Sequence, residues 1–114
     1  MVMVKAPENF GPPPQGLMEG IAKLGEEAMK VGVLVQPGGL LPSARGARVR
    51  LKDGKISVTD GPFTEAKELI GGFAIYDVKS KDEVVEWTRR FMDLHKQHWP
   101  GWEGESEIRE MYPG

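Results

Sequence analysis

The residues of this chain that could do chemistry gather around one stretch, Thr59-Asp60-Gly61-Pro62-Phe63-Thr64-Glu65-Ala66-Lys67-Glu68. Asp60 is the group there that could move a proton as a general acid or base. Lys67, and Arg48 upstream, could hold an anionic substrate group, and Phe63 and Glu65 complete the candidate ligand-contacting set. A second reading makes Asp60 a turn anchor, its carboxylate accepting backbone N–H groups across Gly61-Pro62 as aspartates before turns often do. On residue types alone the turn anchor is the commoner outcome.

Other chemical groups are sparser. His95 and His98 are three apart near the end of a helical pattern, and with Glu103 or Glu105 they could ligate a metal. The third ligand would have to come from an undefined tail, and imidazolium groups near a helix C-terminus are commonly there to oppose the helix dipole, so no metal site is expected. Ser43, Ser57, Ser80 and Ser106 have no histidine at motif spacing, which leaves covalent catalysis without support. The glycines and Arg45 of Gln36–Gly46 fit neither a P-loop nor a dinucleotide fingerprint, so this segment is expected to be an ordinary connecting loop. No cofactor is expected. Trp87, Trp99, Trp102 and Tyr112 could line an aromatic pocket, although packing is the commoner job for such side chains.

The composition narrows the partners. With 114 residues the chain is expected to form a single domain with one core. Fifteen basic and 17 acidic residues give a formal charge of −2, so neither nucleic acid nor an anionic membrane is an expected partner. Cysteine is absent, which removes disulfides and thiol chemistry. No apolar run approaches the ~20 residues a membrane span needs, and no signal-peptide pattern opens the chain, so a cytoplasmic location is expected.

These residues have to be positioned by a small set of elements. Met1–Ala6 reads as a first strand, closed by Pro7 and the Gly11–Pro14 cluster. Leu17, Ile21, Leu24, Ala28 and Val31 recur at helical spacing and predict a helix over 16–31, stopped by Gly32. Gly20 and Gly25 each cost that helix about 1 kcal/mol, so either it packs closely or it is a mediocre helix. Val33–Val35 reads as a second strand. Arg48–Lys52 and Lys55–Thr59 flank Asp53-Gly54, the pair favoured in a two-residue hairpin turn. In that register Leu51 opposes Ile56 and Val49 opposes Val58, which puts the four on one face expected to be buried. The period of two carries Asp60 to the same face, at its apolar edge, and Gly61-Pro62 ends the strand there.

Phe73–Val78 predicts a central strand. Ser80 and Glu83 form a capping box ahead of Val84, Val85, Trp87, Phe91 and Leu94, which predicts a second helix over 81–96. A last strand is expected over 106–112. The order is α+β and fits a ferredoxin-like arrangement, two βαβ halves with an inserted hairpin. Two helices cover only one face of such a sheet, so a second copy is expected on the other, making a homodimer.

The motif residues also carry a resemblance. Asp60-Gly61-Pro62-Phe63, continuing through Thr64–Glu68 to Gly71-Gly72-Phe73, resembles the DGPF signature of the YCII-related domain family. The similarity extends to Gly39-Leu40-Leu41-Pro42, Val49-Arg50 and Asp53-Gly54 upstream and to Asp77-Val78 and Glu83 downstream, about residues 30 to 92. The resemblance implies a ferredoxin-like dimeric α/β barrel. For activity it implies less: most members have none established, some relatives take part in breaking down chlorinated aromatic compounds, others sit beside sigma-factor domains, and a histidine–aspartate acid-base pair has been proposed for one branch. Asp60 takes the position of the motif aspartate, but no histidine precedes His95 in this chain.

Two functions remain open on the sequence. One is a dimeric domain that binds a small molecule in a cleft around the DGPF motif. The other is a lyase or isomerase, of dehydrochlorinase-like type, with Asp60 as its acid-base group. The absent early histidine favours the first, and a charged residue on an apolar face favours the second.

Overall fold

The structure is a computed structural model that describes residues 1–113. In chain order it contains β1 (Val2–Ala6), α1 (Gln15–Lys30), β2 (Leu34–Gly39), a 3-10 turn at Ser43–Arg45, β3 (Ala47–Lys52), β4 (Lys55–Asp60), β5 (Leu69–Tyr76), α2 (Lys81–His98) and β6 (Glu105–Ile108). The strands β2-β5-β1-β6 form one sheet in which every neighbouring pair is antiparallel. The hairpin β3–β4 is a separate two-stranded sheet. This two-helix α+β arrangement is compatible with the ferredoxin-like topology expected from the element order.

Both helices lie on the sheet face that carries Val2, Leu34, Ala74 and Tyr76. Ala28 of α1 and Trp87 of α2 pack there with Leu34, Ala74 and Tyr76, and Leu17 is fully buried. The helices run antiparallel and close together. A Cβ on Gly20 would lie 3.0 Å from Leu94, and one on Gly16 would lie 3.2 Å from His98. Close packing, rather than a merely weak helix, therefore accounts for Gly20. Arg90 continues the seam by pairing with Glu27.

The opposite sheet face carries Met3, Phe73, Ile75 and Gln36, joined beyond the β1 bulge by Lys5 and Ile70. Lys5 bonds Glu107 at 2.9 Å and lies 3.4 Å from Glu105 on the same side. Among the described residues no helix covers this face.

The capping box forms with one difference from expectation. The Glu83 amide donates to Ser80 Oγ at 3.2 Å, but the Glu83 carboxylate accepts from the Lys79 amide at 3.1 Å, one residue before the cap. Segment 36–39, expected in a loop, forms the last four of the six residues of β2. Pro37 is tolerated there because β2 is an edge strand and its missing N–H costs no ladder bond. The last strand ends at Ile108 and does not reach Tyr112, because its partner β1 begins at Val2, opposite Ile108.

The hairpin forms in the expected register, with Leu51 opposite Ile56 and Val49 opposite Val58, and Asp53 and Gly54 both take positive φ in its turn. Its apolar face is not buried, however. Val49, Leu51, Ile56 and Val58 are 67–72% exposed, because β3 and β4 pack chiefly against each other.

Candidate functional site at the DGPF turn

The motif turn is fixed from three directions. Gly61 N donates to Gly46 O at 2.9 Å and Phe63 N donates to Ser43 Oγ at 3.1 Å. The Ser43 hydroxyl in turn donates to Glu8 Oε2 at 2.8 Å, and the Ser43 amide donates to Glu8 Oε1 at 2.6 Å. One hydroxyl thus serves as donor and acceptor together, which uses its bonding capacity well. Ala66 N closes the turn by donating to Phe63 O at 3.1 Å. The Gly61–Pro62 peptide is cis. Gly61 lies so close to the 3-10 turn that a Cβ would collide with the Ser43 carbonyl, so only glycine fits.

On this support Phe63 becomes a platform. The Arg48 guanidinium lies 3.9 Å from the centre of the Phe63 ring and also pairs with Glu65. A hydrogen bond from its own backbone amide, the Arg48 ion pair and the charge of Arg50 hold the Glu65 carboxyl below the usual glutamate range. Arg48 is half-buried, whereas Glu65 is exposed and able to swing away. Of the expected ligand-contacting residues, Arg48, Phe63 and Glu65 are brought together. Lys67 is exposed, and among the described residues no ion pair holds it.

Asp60 is less enclosed than its place on an apolar face suggested. It ends β4 opposite Ala47 and is exposed, not partly buried, because the face it shares with Val58 is itself uncovered. Among the described residues no hydrogen bond or ion pair reaches its carboxylate, so it does not anchor the turn; Ser43 and Gly46 do that work. Strand alternation places Asp60 on the hairpin face opposite Arg48, whose pairing partner is Thr59.

The C-terminal aromatics form a second cluster. Trp99 and Trp102 stack 6.0 Å apart, and Phe10 packs on both. His95 lies against Trp102 with ring centroids 4.4 Å apart and against Phe91 at 4.7 Å. His95 is buried, with Nδ1 3.0 Å from the Phe91 carbonyl, so it is not the solvated cation expected at a helix end. Burial lowers its pKa from the ordinary 6.5. Among the described residues no group of three or more His, Asp or Glu is arranged to hold a metal ion.

A shallow groove between the helices, lined by Gly20, Leu24, Glu27, Arg90 and Leu94, contains none of the expected site residues.

Residues 1–93 match the YCII-related domain. The chain belongs to that family. An uncharacterized protein of Rhizobium meliloti (strain 1021) is 38% identical over 63 residues, which is 55% of this chain and 48% of that protein. This chain thus matches about half the length of that relative. Within the YCII-related domain the DGPF turn is tied to Gly46 directly and to Glu8 through Ser43. That tie was only partly legible in the sequence. Glu8 and Ser43 are 35 positions apart and carry no local pattern linking them. The Gly61-Pro62 pair that follows Asp60 signalled the end of β4, not the close approach to Ser43.

No helix among the described residues is long and apolar enough to cross a membrane.

Proposed function

We propose that this YCII-related domain acts as a homodimer that binds a small carboxylate-bearing molecule at the DGPF turn. The observation that carries the reading is the guanidinium of Arg48 held on the Phe63 ring with one exposed carboxylate, Glu65, as its counter-ion. A planar guanidinium fixed on an aromatic face is pre-oriented for bidentate carboxylate binding, and its present partner is displaceable. Lys67, exposed and unengaged, adds charge a few residues along the same loop. The backbone of Phe63 is locked by Ser43, so little ordering entropy remains to be lost on binding.

Dimerisation fits the uncovered sheet face, where Met3, Ile70, Phe73 and Ile75 meet no helix. A sheet-against-sheet pair would complete the barrel that the family resemblance implies.

A second reading keeps Asp60 as the general acid or base of a lyase or isomerase. It is supported by the freedom of that carboxylate from any partner among the described residues. In one copy Asp60 and Arg48 face opposite sides of the hairpin, so a shared substrate would have to reach around the strand end or be met by a second copy.

The test is a calorimetric titration of acetate, succinate and benzoate into wild type and Arg48→Ala. The reading expects binding of at least one probe by wild type and loss of about tenfold in affinity in the variant. Equal affinity in both proteins would sink it.

A further inference from the structure

We propose that Glu8 is a positioning residue of the DGPF-turn site, and that Phe10, seated on the aromatic cluster at the end of α2, holds Glu8 in place. The inference rests on the carboxylate-binding reading above and adds what keeps the Arg48–Phe63 platform in its binding geometry.

Residues 7–14 join β1 to α1 and are fastened along their length. Where they begin, β1 is paired on both edges, to β5 and to β6. In the middle, the half-buried Phe10 ring lies 6.2 Å from Trp99 and 6.4 Å from Trp102, and His95 backs Trp102 at 4.4 Å. Where they end, Gly16 of α1 lies against the His98 imidazole. Pro7, Pro12, Pro13 and Pro14 restrict the backbone between these points, so little freedom is lost when the segment takes its shape. Glu8 is thus an exposed carboxylate on a stiff support, two residues from its aromatic anchor.

Among the described residues no cation pairs with Glu8. Its carboxylate serves Ser43 instead, accepting from the amide at Oε1, 2.6 Å away, and from the hydroxyl at Oε2, 2.8 Å away. With the hydroxyl hydrogen directed at Glu8, the lone pairs of Ser43 Oγ are left for the Phe63 amide at 3.1 Å. Ser43 meets the motif at a second point. Its carbonyl accepts from Gly46 N at 2.9 Å and stands where a Cβ on Gly61 would be.

A shift of the Ser43 turn therefore moves the backbone of Gly61 and Phe63 together, and with it the ring on which the Arg48 guanidinium rests. A binding group has to be held within ~0.5 Å of its productive geometry. Misplacing a guanidinium fork by about 1 Å spoils its bidentate contact with a carboxylate. Glu8 supplies that hold from outside the site.

Calorimetric titration of benzoate into wild type, Glu8→Gln, Phe10→Ala and Val84→Ala tests this, with hydrogen exchange at the Phe63 amide followed by NMR in the same proteins. A carboxamide nitrogen cannot accept from the Ser43 hydroxyl, so Glu8→Gln breaks the arrangement at a single atom. Its benzoate affinity is expected to fall about tenfold, and that of Phe10→Ala about threefold, with unchanged far-ultraviolet circular dichroism. In both variants exchange should rise more at the Phe63 amide than at the Val33 amide, which bonds Ala28 O in the core. Val84→Ala opens the core outside this link and should lose stability while keeping wild-type affinity. Undiminished affinity in Glu8→Gln and Phe10→Ala overturns the positioning role. An equal loss in Val84→Ala overturns it too, since any loosening of the fold would then do the same. If wild type takes up no benzoate, the carboxylate reading falls and Phe63 exchange alone judges the link: a faster rate in Glu8→Gln sustains it, and an unchanged rate overturns it as well.

Discussion

The Arg48 guanidinium lies 3.9 Å from the centre of the Phe63 ring, and this stacked pair distinguishes the DGPF turn from an ordinary strand connection. A lysine can supply the charge but neither the planar fork nor the stacking surface. Arg48→Lys is therefore expected to fold normally and to lose most of the carboxylate affinity of wild type. Phe63→Leu should lose about as much while retaining the arginine. Calorimetric titration with benzoate compares the three proteins.

Ser43 is the point through which the N-terminal loop reaches the motif, accepting from Phe63 and donating to Glu8. Ser43→Ala removes both bonds of the hydroxyl and should cost about 1–2 kcal/mol. Gly61→Ala should cost about 2–3 kcal/mol, because the added methyl has backbone, not a flexible side chain, in its way. Urea unfolding monitored by tryptophan fluorescence reads both values.

Asp60→Asn is expected to change stability by no more than about 0.5 kcal/mol, since its carboxylate is exposed and bonds nothing among the described residues. A clear loss of stability would return Asp60 to the role of turn anchor. Chemical denaturation of the two proteins side by side decides it.

His95 sets a pH dependence. Burial among Phe91, Trp99 and Trp102 depresses its pKa in the folded chain, so the unfolded chain binds a proton there first as the pH falls. Its contribution to stability is full above pH 6.5 and is lost as the pH drops from there through the lower folded value. Thermal melts between pH 7.5 and 5 should show a steeper decline for wild type than for His95→Gln. Parallel curves would refute the assignment.

Local rules read much of this fold correctly. Asp53-Gly54 determined the hairpin and its register because a two-residue turn fixes the pairing of everything beyond it. Ser80 and Glu83 marked the start of α2 for the same kind of local reason. The alternation of Val49, Leu51, Ile56 and Val58 stated that one face should be covered, but a pattern in one strand cannot say by what. That is why the expected burial of the hairpin, and of Asp60 with it, fails in the single copy. The Glu8–Ser43–Phe63 link and the burial of His95 depend on contacts between distant segments, and neither leaves a periodicity to read.

The account turns on whether small carboxylates bind at the DGPF turn. Amide chemical-shift mapping of wild type with benzoate measures this most directly. The account predicts perturbations concentrated at Arg48, Asp60, Phe63 and Glu65. Perturbations confined to Gly20, Leu24, Arg90 and Leu94, in the groove between the helices, would contradict it.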